Sequence, residues 1–102
     1  MKEITASELR QKISSGEKIA LVDVREEYEH EDFNIGGINI PLGEITFSPE
    51  KFKEWVDQDI ILYCRSGNRS SMAQQLLASK LNIHNTVNLI GGLNAWREEL
   101  KK

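Results

Sequence analysis

The chain contains one cysteine, Cys64, inside the run Cys64-Arg65-Ser66-Gly67-Asn68-Arg69-Ser70. These residue types at this spacing are the ones best suited to chemistry. The segment Asp59 to Tyr63 (DIILY) reads as an apolar strand that delivers the cysteine. From Ser70 to Leu81, apolar Met72, Ala73, Leu76, Leu77 and Leu81 recur at helical spacing. A thiol at the start of a loop that closes onto a helix N-terminus faces that helix's free N–H groups and the positive end of its dipole. Both favour an anion, so both favour thiolate over thiol and make the sulfur nucleophilic. Arg65 and Arg69 are expected to add two positive charges, and Gly67 to let the loop adopt a conformation that bulkier residues resist. Ser70 is expected to cap the helix and to offer its hydroxyl to the sulfur. A cysteine followed by a generic loop is more often an inert core residue. Two arginines, a glycine and a serine beside a helix start favour the reactive alternative: a small anion cradle with Cys64 at its base and residues 65–70 as its wall.

Other residues receive plainer expectations. Asp23 and Arg25 lie near the end of a strand, where a structural ion pair and a supporting role at the site are both open. His30 and His84 are not spaced as a metal pair and neither adjoins Cys64, so each is expected in an ordinary surface or loop role, and no metal site is expected. Trp55 and Trp96 sit on apolar helix faces and are expected in the core. Gly36, Gly37, Gly91 and Gly92 are read as backbone requirements.

The elements that must position Cys64 alternate between strand and helix. Ile4 begins a short edge strand. Thr5-Ala6-Ser7-Glu8 fits a capping box that opens a helix with Leu9 and Ile13 inward and Gly16 as its stop. Lys18 to Val24 (KIALVDV) is a buried strand, and Arg25 to Asp32 a turn and short helix. Gly37 to Ile40 is a short strand ended by Pro41. Ser48-Pro49-Glu50 reads as N-cap, N1 and N2 of a helix whose Phe52, Trp55 and Val56 share a face. Thr86 to Ile90 is a further apolar strand, and Gly91-Gly92 leads into a last helix with Leu93, Trp96 and Leu100 on one side. This alternation predicts a three-layer α/β/α domain over residues 1–102 with a mainly parallel, roughly five-stranded sheet. Ligands in such sheets bind beyond the carboxyl ends of the strands, where Cys64 falls.

Composition limits the function classes. One hundred and two residues support one core. Hydrophobic residues at 39% and charged residues at 28% exclude disordered and collagen-like readings. The longest apolar run, Ile60 to Cys64, falls far short of the ~20 residues of a membrane helix, and the first residues lack an apolar run of signal-peptide length. A lone cysteine excludes an intramolecular disulfide and favours a reducing, cytoplasmic setting. The net charge is −3 with no basic stripe, so neither nucleic acid nor membrane is expected as a partner. Residues 23–32 hold Asp23, Glu26, Glu27, Glu29, Glu31 and Asp32 against Arg25 alone, a net of −5. That run reads as a solvated face or as a docking face for a basic partner.

Four motifs in order carry a resemblance. Leu21-Val-Asp-Val-Arg25, Gly36-Gly-Ile-Asn-Ile-Pro41, Cys64 to Ser70 as Cys-x-x-Gly-x-Arg-Ser, and Leu89-Ile-Gly-Gly-Leu-Asn-Ala-Trp96 together resemble the single-domain rhodanese family over nearly the whole chain. The sequence departs from the family at Phe33-Asn34-Ile35-Gly36, where members often have a histidine in place of Asn34. The resemblance implies the rhodanese-like fold and transfer of a sulfane sulfur, with Cys64 as catalytic residue and Arg65, Ser66, Gly67, Asn68, Arg69 and Ser70 binding substrate. It also places Asp23 and Arg25 near the site, with no cofactor. The implied donor is thiosulfate or a persulfide, and the acceptor a thiol or, in an assay, cyanide. A carrier or regulatory module passing persulfide between proteins is the alternative. A phosphatase or arsenate-reductase-like enzyme is the third reading. Phosphatases of this fold have five residues between Cys and Arg, which would place the arginine where Ser70 stands; here four separate Cys64 from Arg69.

Overall fold

The computed structural model describes residues 2–101. Met1 and Lys102, the ends of the expected domain, lie outside the described residues. The elements in chain order are β1 (Lys2–Ile4), α1 (Ala6–Ser14), β2 (Ala20–Asp23), α2 (Glu27–Asp32), β3 (Ile38–Asn39), 3-10 turns at Leu42–Glu44 and Pro49–Trp55, β4 (Ile60–Tyr63), α3 (Asn68–Leu81), β5 (Thr86–Leu89) and α4 (Gly92–Leu100). The five strands form one sheet in the order β1-β5-β4-β2-β3, and every described pairing is parallel.

Strand side chains alternate between faces, so a sheet covered on both sides needs two cores. Ala20, Val22, Ile60 and Leu62 pack on one face with Ala73 and Leu77 of α3 and with Phe52. Leu21, Ile61, Tyr63, Val87 and Leu89 pack on the other with Leu9 of α1 and Leu93 and Trp96 of α4. From β2 the chain steps outward to β3, and from β4 it steps the opposite way to β5. The reversal lies between β2 and β4, whose carboxyl ends carry Asp23 and Cys64. This is the switch-point crevice in which open α/β sheets bind ligands.

Several expected faces are corrected. Met72 is exposed, because the inward stripe of α3 runs through Ser70, Ala73, Gln74 and Leu77. Gln74 takes the inward place by donating its amide to the carbonyls of Lys2 and Thr86. Val56 is exposed because Pro49–Trp55 is a 3-10 turn: at three residues per turn Phe52 and Trp55 align and Val56 swings away. Ser48 makes no side-chain cap bond there. Ile13 and Leu100, in the last turns of α1 and α4, are also exposed, the buried residues of both helices lying nearer their starts. The capping box of Thr5 and Glu8 forms as expected, with both reciprocal bonds present.

Candidate active site

Cys64 follows β4 directly and is buried, with its side chain on the α3 side of the sheet. Its Sγ accepts the Gly67 N–H at 3.1 Å and lies 3.4 Å from Ser70 Oγ. Gly67, not Ser70, is the N-cap of α3, and its φ of 101° is one that residues with a side chain avoid. Ser70 sits one turn further in, fully buried, where its hydroxyl faces the sulfur instead of the helix's free amides. Burial pushes the Cys64 thiol up. The Ser70 hydroxyl and the N–H groups of Ser70, Gly67 and Ser66 outweigh it and hold the thiol below its ordinary value.

The loop is closed from behind by α4. Leu93 N–H donates to the Cys64 carbonyl at 2.9 Å and Asn94 N–H to the Arg65 carbonyl at 3.0 Å. A Cβ on Gly92 would stand 2.4 Å from the Cys64 oxygen. The absence of a side chain at Gly92 therefore lets the first free N–H groups of α4 dock on the loop's carbonyls. Arg65, Ser66 and Asn68 are exposed at the rim, while Gly67 is buried.

The two loop arginines differ. Arg65 forms no ion pair with a described residue. Arg69 turns toward α2, where its two terminal nitrogens bind the two carboxylate oxygens of Glu29 at 2.7 and 3.1 Å. Its charge is thereby largely balanced, which corrects the expectation of two open positive charges. The ion pair with Arg69 foremost, against partial burial, brings Glu29 down from 4.5 to about 2.

Asp23 and Arg25 form a buried pair. Arg25 Nη2 donates to Asp23 at 2.7 Å and also to the Phe33 carbonyl, and Arg25 lies 5.9 Å over the Tyr63 ring. Asp23 also holds His30 Nδ1 at 2.9 Å. His30 is therefore part of this buried network, a correction to its expected surface role. The network pins α2 and the loop after it to the end of β2, and so fixes Glu29 opposite Arg69. The acidic run is accordingly not one solvated face: Asp23 is buried and Glu29 paired, leaving Glu26, Glu27, Glu31 and Asp32 exposed. Asn34 spends its side chain on backbone, donating to the His30 carbonyl and accepting from Gly36 N–H. His84 contacts Asn82 at an exposed turn.

One residue escaped the sequence reading. Asn88 of β5 accepts the Ser70 hydroxyl proton and donates its amide to the Gly67 carbonyl at 3.3 Å. Ser70 has one proton, so while Asn88 holds it the Cys64 thiol can donate to Ser70 Oγ but cannot receive from it. The available signal was the alternation Thr86-Val87-Asn88-Leu89. In a strand covered on both faces, a polar residue in that pattern is buried and must find a partner.

The family model described as "Rhodanese-like domain" matches residues 5–99. The chain is 36% identical over 103 residues to "Putative sulfurtransferase YtwF" of Bacillus subtilis (strain 168), covering 99% of this chain and 95% of that one. It is 34% identical over 95 residues to "Putative sulfur carrier protein YrkF" of the same organism, covering 92% of this chain. The chain spans only 50% of the length of YrkF. Among solved structures it superposes on the human single-domain sulfurtransferase TSTD1 with a TM-score of 0.79 at 28% identity, covering 97% of each chain.

Proposed function

The chain belongs to the rhodanese-like domain family, and from that premise we propose that it is a sulfurtransferase that carries a sulfane sulfur as a persulfide on Cys64. The observation that carries this reading is the position of Cys64 Sγ, bonded by Gly67 N–H and beside Ser70 Oγ at the carboxyl end of β4. The Cys64 thiolate attacks the outer sulfur of thiosulfate. A bond forms between the two sulfurs, and the bond to the sulfonate sulfur breaks with its electron pair, releasing sulfite. With a persulfide donor the same attack releases a thiolate. The outer sulfur of the Cys64 persulfide is then an anion at the mouth of the 65–70 loop, where oriented N–H groups stabilise it. An acceptor thiolate takes that sulfur and regenerates the Cys64 thiolate; cyanide can replace the thiol in an assay. Arg65 meets the incoming donor at the rim. The chain has no second cysteine to resolve the persulfide as an internal disulfide, so the sulfur leaves to an external acceptor. The steps require no metal or organic cofactor.

We infer a reducing, cytoplasmic setting from the lone cysteine, whose thiolate must escape oxidation to act. Among the described residues, no helix is long and apolar enough to cross a membrane. Steady-state kinetics test the reading. Varying donor at several acceptor concentrations should give the parallel double-reciprocal lines of a ping-pong scheme. Intersecting lines, or full activity in Cys64→Ser, would overturn it.

A second reading, a carrier that takes persulfide from one protein and gives it to another, is favoured by the recessed sulfur and by the exposed carboxylates Glu26, Glu27, Glu31 and Asp32 on and beside α2. It shares the Cys64 chemistry and differs in the donor. Loading rates from thiosulfate and from a persulfidated protein separate the two.

A further inference from the structure

We propose that Glu29 sets the charge of the donor this site accepts: by holding Arg69 in a two-point ion pair it leaves Arg65 as the loop's free cation and biases Cys64 toward singly charged persulfides over the thiosulfate dianion. The proposal rests on the reading above, in which Cys64 accepts a sulfane sulfur.

Three observations support it. The first is the pair itself. Both terminal nitrogens of Arg69 are engaged by Glu29, at 2.7 and 3.1 Å, so the fork that would bind an oxyanion in two places is occupied. The second is that Glu29 is held in place. Its Oε1 also accepts the Glu26 N–H at 3.0 Å, and α2 is anchored through His30 to the buried Asp23. The Glu29 side chain is 13% exposed. A pair between two free surface chains would open readily; this one has an anchored partner. With its carboxyl pushed to about 2, Glu29 stays ionised at every pH at which a thiolate is present. The third is the charge count of the loop itself. With Arg69 paired, Arg65 is the loop residue that carries a positive charge without a carboxylate partner among the described residues.

The consequence differs between donors. Thiosulfate brings two negative charges and leaves as sulfite, also doubly charged. A persulfide brings one charge at its reacting sulfur and leaves as a thiolate. A loop with one open cation attracts the dianion less than a loop with two would, and the difference is larger for two donor charges than for one, since each unit of donor charge meets the same field.

The test uses Glu29→Gln in the full chain. Glutamine keeps an oxygen for the Glu26 N–H, so the entry to α2 is retained while the charge on Arg69 is released. Single-turnover loading of Cys64, read by intact mass, is measured with thiosulfate and with 2-hydroxyethyl persulfide, which carries a single negative charge. The ratio of the thiosulfate rate to the persulfide rate should rise about tenfold in Glu29→Gln at low salt and less at high salt. The gain should vanish in Glu29→Gln/Arg69→Gln, which a structural effect of the first change would not do. An unchanged or lower ratio in Glu29→Gln, or a gain that survives in the double variant, overturns the proposal alone. Loading of the wild type by neither donor overturns the underlying reading and the proposal with it. The wild type gives a test without substitution. Its thiosulfate loading should change by less than about twofold between low and high salt, whereas a steep fall with salt would reveal a second open charge and contradict the proposal.

Discussion

At the scale of single residues, the reactivity of Cys64 is decided by hydrogen bonds. Gly67 N–H and the Ser70 hydroxyl offset the burial of the sulfur, and Asn88 competes with the sulfur for the one proton Ser70 owns. The rate of iodoacetamide alkylation against pH should therefore show a midpoint below the ~8.5 of an unperturbed cysteine. Ser70→Ala should raise that midpoint, since it removes the hydroxyl and leaves the burial. Asn88→Asp should raise it too, because a carboxylate holds the Ser70 proton more firmly and adds a negative charge. A midpoint that fell in either variant would contradict this account of the loop. The thiol, the glycine and the presence of a helix after the loop were legible in the sequence because they are contiguous; the helix itself starts earlier than expected, at Asn68. The role of Ser70 was half legible: its closeness to the sulfur follows from spacing, but its place inside the helix depends on Gly67 taking the cap. Asn88, 24 positions beyond Cys64, is joined to the site by the pairing of β5 beside β4.

Elements hold the loop from two sides. α4 approaches from behind through Gly92, where any Cβ would collide with the backbone of Cys64 and Arg65. Gly92→Ala should cost about 2–3 kcal/mol of unfolding free energy in urea and depress sulfur transfer. Gly43→Ala, with open space around its Cβ, should change neither by more than about 0.5 kcal/mol. From the front, α2 presents Glu29 to Arg69. Glu29 titrates lower in the folded chain than its ordinary 4.5, so its contribution to stability is complete above that pH and is lost as pH falls toward about 2. The melting temperature of the wild type should fall more steeply across that window than that of Glu29→Gln. Parallel slopes would show that the pair is not held in solution. The helical character of residues 27–32 was legible, but its partners were not. Asp23 and Glu29 read along the chain as members of one acidic stretch, and only folding separates the buried or paired carboxylates from the exposed ones.

At the scale of the molecule, the alternation of strands and helices was enough to read a parallel sheet covered on both faces, because apolar strands of this kind need two cores. Which helix faces were buried was less legible. Met72 and Val56 fit a 3.6-residue stripe but are exposed, one displaced by the amide of Gln74 and the other by a 3-10 turn. The exposed charge is uneven, with Arg65 in the cysteine loop and Glu26 and Glu27 at the start of the segment that reaches the loop through Glu29. If a protein donor docks there, Glu26→Lys/Glu27→Lys should slow loading from a persulfidated protein about tenfold at low salt, while loading from 2-hydroxyethyl persulfide is not slowed. Equal slowing with both donors would place the effect in the site instead of the docking face. The central claim, that Cys64 carries the sulfur, is tested most directly by the intact mass of the protein after incubation with a sulfane sulfur donor and removal of excess reagent. The wild type should gain the mass of one sulfur atom and lose it on addition of a thiol, and Cys64→Ser should gain nothing. A wild type that stays unloaded with both thiosulfate and a persulfide, or a Cys64→Ser variant that loads, would contradict the account.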